Sequence, residues 1–123
     1  MILADTSIWI EFFRQTDFEG NTRFAECVDS LSVVAVSAVF GELLQGVKND
    51  KEEKLILEYW DFLPKIDERN LFIEAGKISH HHKLFNKGVG LIDCYILAAA
   101  QSNKLEIWSL DKKLLQAHQL LTA

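Results

Sequence analysis

Gly90-Leu-Ile-Asp-Cys-Tyr-Ile-Leu-Ala-Ala-Ala-Gln-Ser-Asn-Lys-Leu-Glu-Ile-Trp-Ser-Leu-Asp-Lys-Lys-Leu114 sets two acids, Asp93 and Asp111, where a core-building chain would not put them. Apart from Asp93, every residue from Leu91 to Ala100 is apolar and none breaks a helix, the pattern of a helix buried on most faces. Asp93 therefore enters the protein with its helix. A carboxylate taken out of water costs several kcal/mol, or shifts its pKa, unless a cation or hydrogen-bond donors meet it. Its neighbours Leu91, Ile92, Cys94 and Tyr95 offer almost none. The segment Leu105 to Ser109 reads as a short strand, and Leu110 onward turns off its end into another helical piece. Asp111 is thereby placed at a strand's carboxyl end, where open α/β sheets bind their ligands.

Working outward, 123 residues predict one domain over 1–123, long enough for one core. Hydrophobic residues make up 49% and there is a single proline, which excludes a disordered tail. The net charge of -5 argues against broad non-specific binding to nucleic acid. Setting four of the 18 acids aside for a cation site leaves 14 against 13 Lys and Arg, so a small basic patch stays open. Cys27 and Cys94 form no Cys-x-x-Cys pair and fall in apolar helical patterns, which reads as buried free thiols in a reducing compartment. The amino terminus has no basic start, and no apolar run approaches the roughly 20 residues that span a bilayer, so the expectation is a cytoplasmic protein with no membrane partner.

From the amino terminus, Ile2-Leu-Ala4 is a short apolar run that feeds through Asp5-Thr-Ser into a helix marked by Ile8, Trp9, Phe12 and Phe13. Read alone, Asp5 or Thr6 is a helix cap. A helix follows over Asn21 to Leu31, then a β-branched run Ser32 to Val36 that suits a buried parallel strand. Ser37 reads as the N-cap of the next helix, whose stripe Phe40, Leu43, Leu44 and Val47 leaves Glu42 on the opposite side. Periodicity does not say whether Glu42 faces solvent or a cleft. Asn49 to Lys54 reads as a turn into a helix that Pro64 stops, Lys65 to Asp67 as a short strand, and Leu71 to His82 as a longer helix. Consecutive helix residues point about 100 degrees apart, so His80, His81 and His82 do not share a metal. Strands alternating with helices, with no hairpin signal, predict an α/β fold with a mostly parallel sheet and helices on both faces.

In such a fold the strand ends gather at one edge, where Asp5, Asp93 and Asp111 can converge and Glu42 can join them. Two carboxylates about 4 Å apart repel by roughly 4 kcal/mol at a surface-like dielectric, so the cluster implies a metal. All-oxygen ligands suit Mg²⁺, with Mn²⁺ as a substitute, better than Zn²⁺. Such a site suits phosphodiester hydrolysis.

The motifs Asp5-Thr-Ser through Arg14, Ser37 through Glu42 to Gly46, Ile92-Asp through Ala100, and Ser109-Leu-Asp111 occur in an order that resembles PIN-domain ribonucleases, above all VapC-type toxins of toxin–antitoxin pairs. The resemblance covers essentially the whole chain. It implies a three-layer α/β/α domain and Mg²⁺-dependent endonucleolytic cutting of RNA. Asp5 and Asp93 match the family's metal-binding acids, and Glu42 and Asp111 complete its acidic quartet. Ser7 and Ser109 match hydroxyl positions that support the acids, with Thr6 beside them. The resemblance further implies a homodimer and an inhibitory antitoxin whose tail occupies the active-site groove. One departure is Leu114, where the family pattern more often carries an aromatic. Two other readings compete. One is a PIN-domain nuclease that processes RNA without an antitoxin. The other is a non-catalytic interaction module, with Trp9, Phe12, Phe13, Tyr59 and Trp60 as a partner surface.

Overall fold

The structure is a computed structural model describing residues 1–15 and 20–122. Two named strands, β1 (Ile2–Ala4) and β2 (Glu106–Trp108), pair in parallel, with Leu3 opposite Ile107. Two further extended segments extend the sheet by single parallel bridges, Ile2 to Val33 and Ala35 to Lys65. Successive amides of the middle segment point to opposite sides: Val34 N–H donates to Ile2 O at 2.9 Å and Ala35 N–H to Pro64 O at 2.9 Å. The extended segments therefore lie in the chain order third, second, first, fourth. The strand order reverses between β1 and β2, the switch point at which open α/β sheets bind ligands. The run expected as a full strand over 32–36 and the one over 65–67 pair only by these bridges. Burial on both sides, with Val33 and Ala35 wholly covered, explains their β-branched reading without requiring a longer ladder.

Seven α-helices surround the sheet among the described residues: α1 (Thr6–Phe13), α2 (Asn21–Asp29), α3 (Ser37–Gln45), α4 (Asp50–Phe62), α5 (Leu71–His82), α6 (Leu91–Asn103) and α7 (Lys112–Thr122). The fold is three-layer α/β/α. Helix α6 runs against α5 and meets α3, which packs between α1 and α4. Its residues Cys94 through Ala100 are all buried, as an all-round apolar sequence requires. Helix α4 begins at Asp50, earlier than its apolar stripe indicates, because Asn49 caps it by accepting from Glu52 N–H at 2.9 Å.

Ser37 is not the cap of α3 but its first residue. Its N–H donates to both oxygens of Glu68 at 3.1 Å and its hydroxyl to Glu68 Oε1 at 2.6 Å. Tyr95 of α6 donates its hydroxyl to the same oxygen at 2.6 Å. Glu68 thus fastens the starts of two helices that carry acids of interest. Burial, followed by the Glu68 carboxylate, pushes the Tyr95 hydroxyl up from its ordinary pKa. Cys27, expected to be buried, is only half-buried, while Cys94 is buried outright. Leu114 fills its position at 0% exposure, so an aliphatic side chain packs there without the aromatic.

Of the α1 aromatics, Trp9 belongs to the core, and Phe12 and Phe13 are half-buried against it. Trp9 is 0% exposed and its ring meets those of Phe24, Phe40 and Phe12 at centroid distances of 5.0, 5.4 and 5.6 Å. Edge-to-face pairs of this kind add to the burial itself. Trp9→Ala is expected to lower the free energy of unfolding by about 3–5 kcal/mol, measured by urea denaturation.

Candidate active site

At the switch point β1 gives way directly to α1, and the junction residue is Asp5, 6% exposed. Its N–H donates to Trp108 O at 3.0 Å, continuing the ladder with β2. Its carboxylate is the N-cap of α1, accepting from Ile8 N–H at 3.3 Å, so the cap reading is correct as far as it goes. The same carboxylate also accepts from the Ser7 hydroxyl at 2.5 Å and, on its other oxygen, from the Ser109 hydroxyl. Both serines pass the contact on. Ser7 Oγ accepts from Leu110 N–H at 3.0 Å, and Ser109 Oγ from Asp111 N–H at 2.9 Å. The loop bearing Asp111 is therefore hung on Asp5 through two hydroxyls. Asp111 itself stands just before α7 and accepts from Lys113 N–H at 2.9 Å, the second acid here that also terminates a helix.

Glu42 is brought in from α3. The Thr6 hydroxyl donates to Glu42 Oε1 at 2.6 Å, which turns the carboxylate of an exposed Glu42 toward α1. Asp93 lies in the first turn of α6. Its carboxyl is pushed above the ordinary carboxylate range, first by burial and then by the negative charges of Asp111, Asp5 and Glu42, while a backbone hydrogen bond from Gly90 acts the other way. Repulsion from all three acids converging on one carboxyl places the four in a single electrostatic neighbourhood.

Among the described residues the ion pairs are Arg14–Glu11, Arg69–Asp67 and Lys77–Glu74, so no Lys or Arg is paired to any of the four acids. Among the same residues no three His, Cys, Asp or Glu side chains form a ready-made ligand group. An all-oxygen neighbourhood of this kind fits a hard divalent cation, which takes one or two carboxylates and keeps several waters. Glu68, by contrast, was not evident as a positioning group. It lies 31 residues from Ser37 and 27 from Tyr95, and no local pattern signals that distant contact.

Open α/β sheets bind their ligands at such a switch point, and here Asp5 stands at it. The PIN-domain family model matches residues 2–119, and the chain belongs to that family. PIN domains are generally nucleases and typically use divalent metals. Among solved structures, the chain is similar to a chain in the crystal structure of FitAcB from Neisseria gonorrhoeae, at 22% identity and a TM-score of 0.68, over 97% of this chain and 94% of that one. This likeness shows the fold. The comparison with curated proteins found no match.

The direction of the Asp93 shift fixes a pH dependence. A carboxyl whose folded pKa lies above its ordinary 3.8 favours the folded state while protonated, so metal-free stability falls as pH rises from 3.8 through the raised value and then levels off. Asp93→Asn removes that loss. The melting temperature of the EDTA-treated variant is expected to exceed that of the EDTA-treated wild type at neutral pH, and the difference is expected to shrink toward pH 4.

Proposed function

We propose that this chain is a Mg²⁺-dependent endoribonuclease, with Mn²⁺ as a possible substitute, and the toxin of a type II toxin–antitoxin pair working in the cytoplasm. The observation that carries the reading is that the charges of Asp111, Asp5 and Glu42 all act on Asp93, with no Lys or Arg paired to the four acids among the described residues. A divalent cation bound there would supply a polarised water and would neutralise charge developing on the phosphate. Asp5 and Asp93 would hold it. Asp5 is fixed in orientation by Ser7, Ser109 and the Ile8 amide, so binding does not have to order that carboxylate. Thr6 occupies Glu42 Oε1 and leaves Oε2 as the acceptor for a proton from the attacking water. Asp111 completes the negative field and is held by the Ser109 relay.

Two surfaces support the partners of this reading. A groove of about 320 Å³ starts at Glu42 and runs over Ile10, Phe13, Leu43 and Val47 between Arg14 and Lys48. It has the apolar floor to take an antitoxin tail lying against Glu42. On the other flank Phe72 and Ile73 are 54% and 67% exposed and, with Ile92, line a cavity of about 500 Å³. An exposed apolar patch of this kind supports the homodimer. No helix among the described residues is long and apolar enough to cross a membrane.

The test is incubation of the purified, partner-free chain with total cellular RNA in Mg²⁺ or Mn²⁺ against EDTA. Discrete metal-dependent fragments are expected, absent with Asp5→Asn or Asp93→Asn, and impaired with Glu42→Gln. No cleavage by a folded, inhibitor-free chain would turn the assignment to a binding module.

The serine relay gives a graded outcome. Ser109→Ala removes one donor to Asp5 and the acceptor of the Asp111 amide, and cleavage is expected to fall by about 10–100-fold, with Ser109→Thr retaining most of it. Initial rates at saturating metal, and again across a metal titration, separate weaker metal binding from slower chemistry.

A further inference from the structure

Between α5 and α6 the chain makes a single 3-10 turn, Phe85–Lys87, and leaves it through Gly88 at φ +78. A Cβ at Gly88 would stand 2.9 Å from Nζ, 3.3 Å from Cδ and 3.5 Å from Cε of Lys113. The end of the Lys113 side chain therefore lies flat against backbone that only glycine leaves bare. Lys113 is the second residue of α7, and its own N–H is held by Asp111 Oδ1. Gly88 is two residues before Gly90, the N-cap of the helix that carries Asp93. Lys113 thus spans the two segments that deliver Asp111 and Asp93.

Its ammonium has no carboxylate within ion-pairing distance among the described residues, and Lys113 is exposed. A lysine serving only solubility extends into water. This one lays its stem on the protein, which lowers the entropy cost of holding its charge at one place. Lys87 and Lys112 flank the same two segments in sequence, in a chain of net charge -5. A compact ammonium is a point-charge partner for a phosphate, and an unbranched one can follow a nucleic-acid backbone whatever its bases.

We propose that Lys113, seated on Gly88, binds a phosphate of the RNA strand next to the one at the acid cleft and so sets where the strand crosses it. Lys113 is a positioning residue, and its role rests on the nuclease reading above. The acids and their cation address the reacting phosphate, whereas a neighbouring phosphate would be repelled by the same carboxylates unless a cation stood on that side.

The experiment is fluorescence anisotropy of a labelled single-stranded RNA with the cleavage-deficient Asp93→Asn chain in Mg²⁺, titrated in salt. Lys113→Gln, Lys113→Arg and, as a control at the far end of α6, Lys104→Gln are each added to it. Loss of one phosphate contact is expected to reduce the slope of log affinity against log salt by about 0.7 in Lys113→Gln, at every base composition tried. Lys113→Arg and Lys104→Gln are expected to keep the parent slope. A Lys113→Gln slope equal to the parent's, or an equal drop in Lys104→Gln, overturns the proposal while leaving the nuclease reading standing. Absence of any RNA binding by the parent, together with absence of cleavage by the wild-type chain, overturns both.

Discussion

Everything at the cleft depends on how the Asp5 carboxylate is bound. Its partners come from both ends of the chain: Ser7 and Ile8 just after it, and Ser109, 104 residues away. Hydrogen bonds to a charged group contribute about 1.5–3 kcal/mol each, and three of them offset much of the cost of burying that charge. The arrangement does structural and chemical duty together. It ends β1, starts α1, closes the sheet against β2 and suspends the Asp111 loop. Only after this has been satisfied can the remaining acceptor capacity of Asp5 be offered to a cation.

The other acids are held by weaker means. Asp5, Asp93 and Asp111 all sit at or within the first turn of a helix, where the aligned peptide dipoles favour negative charge by about 0.3–1 kcal/mol each. That does not suffice. Asp93 remains raised because burial and three like charges outweigh one backbone hydrogen bond. The protein is built with an electrostatic deficit at this place, and the missing quantity is positive charge. Lysines stand close in sequence yet are not aimed inward; one of them lies against Gly88 instead.

How much of this could be read from the sequence depended on whether the signal was local. Helix α6 was legible because an apolar sequence with one acid admits few other readings, and the same pattern exposed Asp93. Asp5 and Asp111 were legible from their positions at strand ends. Glu42 was not settled by its wheel, because the group that orients it, Thr6, lies 36 residues earlier. The extended runs around 33–35 and 65 had the right composition, but the ladder length is set by neighbours and came out as single bridges. Ser37 looked like a cap by type; the actual acceptor, Glu68, arrives from another segment. The contact between Lys113 and Gly88 left a trace only in the glycine, which by itself is indistinguishable from an ordinary turn residue.

The order of extended segments also governs when the cleft can exist. β1 is made first, yet one of its two neighbours in the sheet is β2, more than a hundred residues later. Until Ser109 has been added, one of the three donors to the Asp5 carboxylate is missing, and until Asp111 has been added the acid set is incomplete. Asp5 therefore depends on contacts made by residues more than a hundred positions further along the chain. Pairing of such distant segments is slow to nucleate, because loop closure precedes the contacts that reward it.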